Sequence, residues 1–468
     1  MRRKILVGLS GLLPLWCHAS GLDGATLSAW WAAPFAGLLL SIAACPLVVP
    51  GFWHHHYGKV SLAWALAFLL PCAALVGLDS AAQGAVHAVV AEFFPFIVLV
   101  TALFVVAGGI CIYGNLQGAP GLNTGLLAIG TILASLMGTT GAAMLMIRPL
   151  IRANDNRKHA AHIIVFFIFL VANAGGSLTP LGDPPLFLGF LNGVDFFWAM
   201  KNILPETLFL CASLLTIFYL LDRHYFRQRE EQLPPQWDPT PYQPIRIEGK
   251  VNFALLGAIV GLVLMSGLWK PGATISVFDI AIELQNLVRD ALLIGVILIS
   301  LWITPKSAHD GNGFSWGPIK EVAKLFAGIF ITIIPVVAML RAGTGGAFAA
   351  VVRAVTDGNG QPINAMYFWA SGILSSFLDN APTYLVFFNT AGGDPNALMT
   401  GLASTLAAIS CGSVFMGANS YIGNAPNMMV KAIAEERGIR MPSFFGYMMW
   451  SCAVLMPLFL VMTFIFFR

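Results

Sequence analysis

The chain has 468 residues, of which 57% are hydrophobic and only 10% charged, with a formal net charge of +3 and a mean hydropathy of +0.78. A soluble domain carries about 25% charged residues, so this composition excludes a cytosolic enzyme, a nucleic-acid binder and a disordered scaffold. It fits a polytopic membrane protein whose apolar residues gather into runs of about 20.

In chain order, Arg2, Arg3 and Lys4 precede a short apolar run, Ile5 to Trp16, and a small-residue exit at Ala19-Ser20. A basic head, an apolar stretch too short to span and a small exit predict a signal peptide over 1–19; a retained anchor helix is the rival reading. Further apolar runs fall near 30–50, 60–78, 88–113, 203–221, 251–268, 288–304, 322–342 and 444–467. Each suits one crossing at about 1.5 Å per residue. Four other runs are too long or are interrupted by Gly, Pro and polar residues. Those at 121–152 and 365–391 are read as re-entrant hairpins, and those at 160–198 and 398–430 as crossings with unwound centres. Within lipid such breaks survive only where the freed backbone is buried in protein or lines a cavity.

Cysteines, including Cys17, lie in apolar stretches without a C-x-x-C pair and read as packing residues. His54-His55-His56, flanked by Trp53 and Tyr57, reads as an interfacial belt rather than a metal site. Charge placement orients the chain. With ten crossings, two hairpins and the mature N-terminus outside, sixteen basic residues fall inside, Arg148, Arg157, Arg223 and Lys431 among them. Five fall outside: Lys201, Lys270, Arg289, Arg353 and Arg468. The C-terminus then also lies outside. The polar stretch 222–250, with Pro234-Pro235, reads as a linker between halves 20–221 and 251–468.

The halves repeat. Gly176-Ser177-Leu178-Thr179-Pro180-Leu181-Gly182-Asp183-Pro184-Pro185 matches Gly417-Ala418-Asn419-Ser420-Tyr421-Ile422-Gly423-Asn424-Ala425-Pro426, 241 positions on. The hairpin tip Gly138-Thr139-Thr140-Gly141 has its counterpart at Asp379-Asn380-Ala381-Pro382. Five crossings and a hairpin per half turn the second copy upside down. The fold class is therefore an all-α inverted repeat with two broken helices meeting at the midplane, the plan of secondary transporters. A half-helix start offers N–H groups to an anion, and a half-helix end offers carbonyls to a cation.

Asp183 and Asp379 are the carboxylates inside these breaks, and intramembrane acids are candidates for function. Each reads as a Na⁺ ligand or proton carrier, against a plain helix cap. Asn173, Thr179, Asn380, Asn419, Ser420, Asn424 and Asn427 supply neutral oxygens, as do Thr139 and Thr140. Arg341 reads as an interfacial anchor or a carboxylate contact. No H-E-x-x-H, G-x-S-x-G or metal-ligand spacing supports an enzyme.

The run Ala172-Asn173-Ala174-Gly175-Gly176-Ser177-Leu178-Thr179-Pro180-Leu181-Gly182-Asp183-Pro184-Pro185 resembles a signature of the ion-transporter superfamily. That group holds NhaD-type sodium/proton antiporters, arsenite permeases and citrate or dicarboxylate transporters. Asp379-Asn380-Ala381-Pro382 and Ile422-Gly423-Asn424-Ala425-Pro426-Asn427 resemble its other hallmarks. The nearest branch is the one shared by citrate transporters and sodium:proton antiporters. The resemblance implies alternating access and a homodimer in the lipid bilayer of a bacterial inner membrane. It also implies Na⁺ and H⁺ as transported or coupling ions, no cofactor, and small cations or a carboxylate as substrate. Relatives often carry Asp-Asn at the first tip; here it reads Gly138-Thr139, so one of two symmetric carboxylates is missing. The expected activity is sodium (or lithium)/proton antiport, with cation-coupled citrate or dicarboxylate transport as the alternative.

Overall fold

The computed structural model describes residues 22–227, 243–278 and 280–468. The signal-like segment at 1–19 and most of the Pro-rich linker lie outside the described residues. Helices α1 (Ala33–Val48) and α2 (Pro50–Leu75) come first, then α3 (Leu78–His87) and α4 (Phe94–Gly108), joined through a π-helical stretch at Ala88–Phe93. Strand β1 (Cys111–Asn115) leads to α5 (Pro120–Met137) and α6 (Thr139–Ala153), which meet at Gly138. Next come α7 (Ala161–Leu170), a 3₁₀ turn at Ala174–Leu178, α8 (Pro184–Leu191), α9 (Trp198–Asn202) and α10 (Leu204–Phe226). The second half begins with β2 (Gln243–Glu248), α11 (Val251–Leu268), a hairpin of β3 (Thr274–Val277) with β4 (Ile280–Glu283), and α12 (Leu284–Ile303). It continues through α13 (Lys306–Gly311), α14 (Gly317–Thr332), α15 (Ile334–Arg341), α16 (Ala349–Ala354), α17 (Asn364–Phe377), α18 (Asn380–Thr390) and α19 (Pro395–Met399). It closes with α20 (Ala403–Phe415), a 3₁₀ turn at Met416–Asn419, α21 (Ala425–Glu436) and α22 (Phe444–Phe466).

Among the described residues nine helical stretches are long and apolar enough to cross a membrane, or up to ten if α14 and α15, bent by 42°, form one span. The chain is therefore an all-α, multi-pass membrane protein. The helices α17, α18, α20 and α21 are 14, 11, 13 and 12 residues long. At about 1.5 Å per residue none of them crosses a 30 Å core alone.

The burial pattern explains the sequence. The α7 stretch is apolar all round and is also buried almost throughout (Ala161–Leu178, 89%), as expected for a helix enclosed by protein on every side. By contrast α1, α2, α12 and α22 expose leucine, phenylalanine and tryptophan on one flank, the surface that lipid covers. Helix α17 packs at close range along α20 and the 3₁₀ turn after it because glycine stands at the contacts: a Cβ on Gly372 would stand 2.0 Å from Met416 Sδ in the turn, and one on Gly412 of α20 would stand 2.2 Å from Ser371 Oγ.

Several sequence expectations need correction. Two described elements reach into the predicted linker at 222–250. Helix α10 runs to Phe226, and β2 pairs antiparallel with β1, Ile112 opposite Ile247. Arg157, expected in an inner loop, does lie in the loop between α6 and α7 and is buried there, its Nη1 2.7 Å from Asp222 Oδ1. Arg289, expected in an outer loop, sits inside α12 at 1% exposure, its Nε 2.8 Å from Asp290 Oδ1. Arg289 is accommodated within a span because the Asp290 carboxylate neutralises it, which hydropathy windows do not register. The three histidines lie within the first turns of α2, where His55 and His56 bond to the carbonyls of Gly51 and Phe52.

Candidate functional site around Asp183

The two breaks are built from the same bonds. At the first, Thr179 Oγ1 donates to the Ser135 carbonyl and accepts from the Leu181 N–H at 3.2 Å. At the second, Ser420 Oγ donates to the Ser376 carbonyl at 2.5 Å and accepts from Ile422 N–H at 3.2 Å. Each residue of the second set lies 241 positions after its match in the first. The hydroxyl caps the broken turn and fastens it to the first arm of the adjoining hairpin, α5 or α17. Glycine allows the chain to fold back on itself there. A Cβ on Gly182 would stand 2.2 Å from the Gly176 carbonyl oxygen, and one on Gly423 would stand 2.5 Å from that of Gly417. Gly182→Ala forces backbone against backbone. We expect it to cost about 1–3 kcal/mol, seen as a thermal midpoint several degrees lower for the purified protein.

After each break the chain enters a new helix through an extended residue: Asp183 (φ −144°, ψ 143°) before α8 and Asn424 (φ −154°, ψ 138°) before α21. Neither side chain caps its own helix. The Asp183 carboxylate, 2% exposed, turns to side chains brought from three other places. Thr139 Oγ1, at the first hairpin tip, donates to Oδ1 at 3.0 Å. Asn380 Nδ2, at the second tip, donates to Oδ2 at 2.5 Å. Asn424 Nδ2, from the second break, donates to Oδ1 at 3.3 Å. Thr139 and Asn380 are themselves 241 positions apart. All four interrupted elements thus converge on one carboxylate.

A ring of amides extends the cluster. Asn424 Nδ2 also reaches Asn173 Oδ1 at 3.2 Å. Asn173 Nδ2 donates to Asn427 Oδ1 at 2.8 Å, and Asn427 Nδ2 donates to the carbonyls of Gly417 and Ser420, both at 2.9 Å. The side chains bonded to Asp183 are neutral, and Asn380 Oδ1 is buried without a hydrogen-bond partner. The hydrogen-bonded cluster is therefore rich in oxygen and holds a single carboxylate, the chemistry a hard monovalent cation needs. It is poorly suited to an anion. The helix start beside Asp183 is Pro184-Pro185, two residues without an N–H, and the Thr139 N–H already donates to the Gly182 carbonyl at 2.8 Å.

With this geometry in place, one comparison with known proteins decides the family. A family model described as "Putative citrate transport" matches residues 24–467. The chain belongs to this family. It is a membrane transporter. The comparison with curated proteins gives no match.

The remaining predicted residues of this family member divide clearly. Thr139, Asn173, Asp183, Asn380, Asn424 and Asn427 form one connected cluster. Thr179 and Ser420 stand beside it and bond to backbone. Asp379 is half-buried and caps α18, its Oδ1 accepting from the Ala381 N–H at 3.3 Å. Here the plain helix-cap reading describes its observed contact. Thr140 is half-buried and is not among the Asp183 donors. Asn419 is buried but donates to Ser376 Oγ at 2.9 Å, away from the carboxylate. Among the described residues no group of three His, Cys, Asp or Glu is placed to hold a metal. Ser135 and Ser376, which anchor the breaks, were missed by motif reading. Their signal was present, since they obey the same 241-residue offset.

Proposed function

We propose that this transporter exchanges Na⁺ (or Li⁺) for H⁺ at Asp183, by alternating access between two inverted repeats. The observation that carries the reading is the convergence of all four interrupted elements on one buried carboxylate held by neutral donors. A proton and a metal cation compete for that carboxylate. With the cation bound, Asp183 supplies the charge, and Asn380 Oδ1 and nearby backbone carbonyls supply further oxygens. With the proton bound, Asp183 becomes a donor, and the Thr139 hydroxyl turns to accept. Because Thr139, Asn380 and Asn424 sit on separate elements, exchanging the occupant changes how tightly the hairpins and breaks are held together. That is the coupling alternating access requires. We place the protein in a bacterial inner membrane, as a homodimer, with both termini outside.

A second reading is favoured by the family's own description: cation-coupled uptake of citrate or a related carboxylate, with the Asp183 site binding the coupling ion. Sealed proteoliposomes of the full chain, carrying a pH-sensitive dye and an imposed pH gradient, separate the two. Collapse of the gradient on adding Na⁺ or Li⁺ alone is the expected result for exchange. No response to cations alone, with Na⁺- or H⁺-dependent entry of labelled citrate, replaces it with the second reading.

A further inference from the structure

A second polar site lies apart from Asp183. The span Leu78–Gly108 carries Glu92 inside its π-helical stretch, Ala88–Phe93. π-bulges inside helices recur at functional sites, and an acid within a span is costly to keep without a use. Opposite this bulge the neighbouring span is bent by 42° between α14 and α15. The two irregularities border a partly open cavity of about 190 Å³ lined by Phe330, Ile333, Val337 and three ionisable groups, His87, Glu92 and Arg341. His87 Nδ1 stands 3.9 Å from Glu92 Oε1. Arg341, the last residue of α15, donates through Nε to Asn389 Oδ1 at 2.7 Å. The guanidinium and the carboxylate thus share one apolar-walled cavity, each with another partner, rather than closing on each other.

We propose that this cavity binds a hydroxycarboxylate anion, its carboxylate on the Arg341 guanidinium and its hydroxyl donating to Glu92. The inference rests on the carboxylate-transport reading above and names the anion's site within it. The chemistry follows from the pair. Arginine presents a planar fork of donors that matches a carboxylate. Ionised glutamate offers only acceptors, so in that form Glu92 repels a second carboxylate and rewards a hydroxyl. Asn389, which holds Arg341, lies on the same helix, α18, as Asn380, which holds Asp183. The two are nine residues apart, about 14 Å along the helix. An anion on Arg341 and a cation on Asp183 therefore act on opposite ends of one rigid element while their charges stay well separated.

The test is equilibrium binding of radiolabelled citrate to the purified full-length protein, with competition by tricarballylate, which lacks the hydroxyl. Citrate is expected to bind at least about tenfold more tightly than tricarballylate, the worth of one hydrogen bond to a charged group. Arg341→Gln and the cavity-filling Val337→Trp are each expected to weaken citrate binding by tenfold or more. Glu92→Leu is expected to bring the two ligands to near equality, through a loss for citrate and a gain for tricarballylate, a change of selectivity that misfolding does not produce. Arg341→Lys restores part of the citrate binding if the charge is what the site uses. Citrate uptake by the wild type with Arg341→Gln and Glu92→Leu both binding as the wild type does would overturn this site and leave the carboxylate-transport reading standing. A wild type that neither binds nor takes up citrate would overturn both.

Discussion

Asp183→Asn is expected to reduce cation-driven proton flux in proteoliposomes at least about a hundredfold, to the level of protein-free vesicles. The carboxylate is the only charged group in its hydrogen-bonded cluster, and it accepts from Thr139, Asn380 and Asn424 at once. Asparagine keeps the size and one acceptor oxygen. In the proposed exchange it removes the charge that would hold a cation and the group that would carry a proton. Its own NH₂ faces either the Asn380 NH₂ or the Thr139 and Asn424 donors, so one donor pair becomes a clash. A drop of that size corresponds to about 2.7 kcal/mol, well within what loss of the only charge in a buried site costs. Asp379→Asn is the informative contrast. Asp379 caps α18 in the structure, and Asn caps nearly as well as Asp. Flux lost equally in both variants would show that the two acids act as a pair. Flux retained in Asp183→Asn would remove the assigned site.

The largest effect on stability is expected at the other end of the first hairpin. Asp222, fully buried, accepts from Asn123 Nδ2 at 3.0 Å and lies 2.7 Å from Arg157 Nη1 and 2.8 Å from His162 Nε2. Asn123 also exchanges bonds of 2.9 and 2.8 Å with Asn154. These residues tie the start of α5 and the end of α6 to α7 and α10, so the feet of the hairpin cannot move separately. Asp222→Ala removes the carboxylate they share and is expected to cost about 3–5 kcal/mol, as when one member of a buried ion pair is deleted. The check is thermal unfolding of the purified protein in detergent. A midpoint within a degree or two of the wild type would show that the cluster does not hold the hairpin.

Much of this is legible in the sequence for physical reasons. Breaks within apolar runs need Gly and Pro to form and polar side chains to satisfy the freed backbone, so Gly176–Pro185 and Gly417–Pro426 announce themselves. The repeat offset by itself pairs Thr139 with Asn380 and Asp183 with Asn424. What is not legible is which oxygen points where. Asp183 and Asp379 carry equal weight as intramembrane acids, yet one turns away from its own helix and the other caps it. That difference is set by Asn380 and Asn424, which arrive from the second half of the chain. Arg157 and Asp222 are hidden for a related reason: in a hydropathy window each is a separate charge near the end of a span, and only the fold pairs them. The cavity between Glu92 and Arg341 joins residues about 250 positions apart through two helix irregularities that no local pattern reveals.

In the proposed exchange a cation and a proton compete for Asp183. Calorimetric titration of purified protein with NaCl, repeated in buffers of different ionisation enthalpy, measures both Na⁺ binding and the protons released by it. Na⁺ is expected to bind, with about one proton leaving for each Na⁺ bound at a pH where Asp183 is protonated, and Asp183→Asn is expected to lose both signals. Na⁺ binding that persists unchanged in Asp183→Asn, or that releases no proton at any pH, would contradict the proposed exchange.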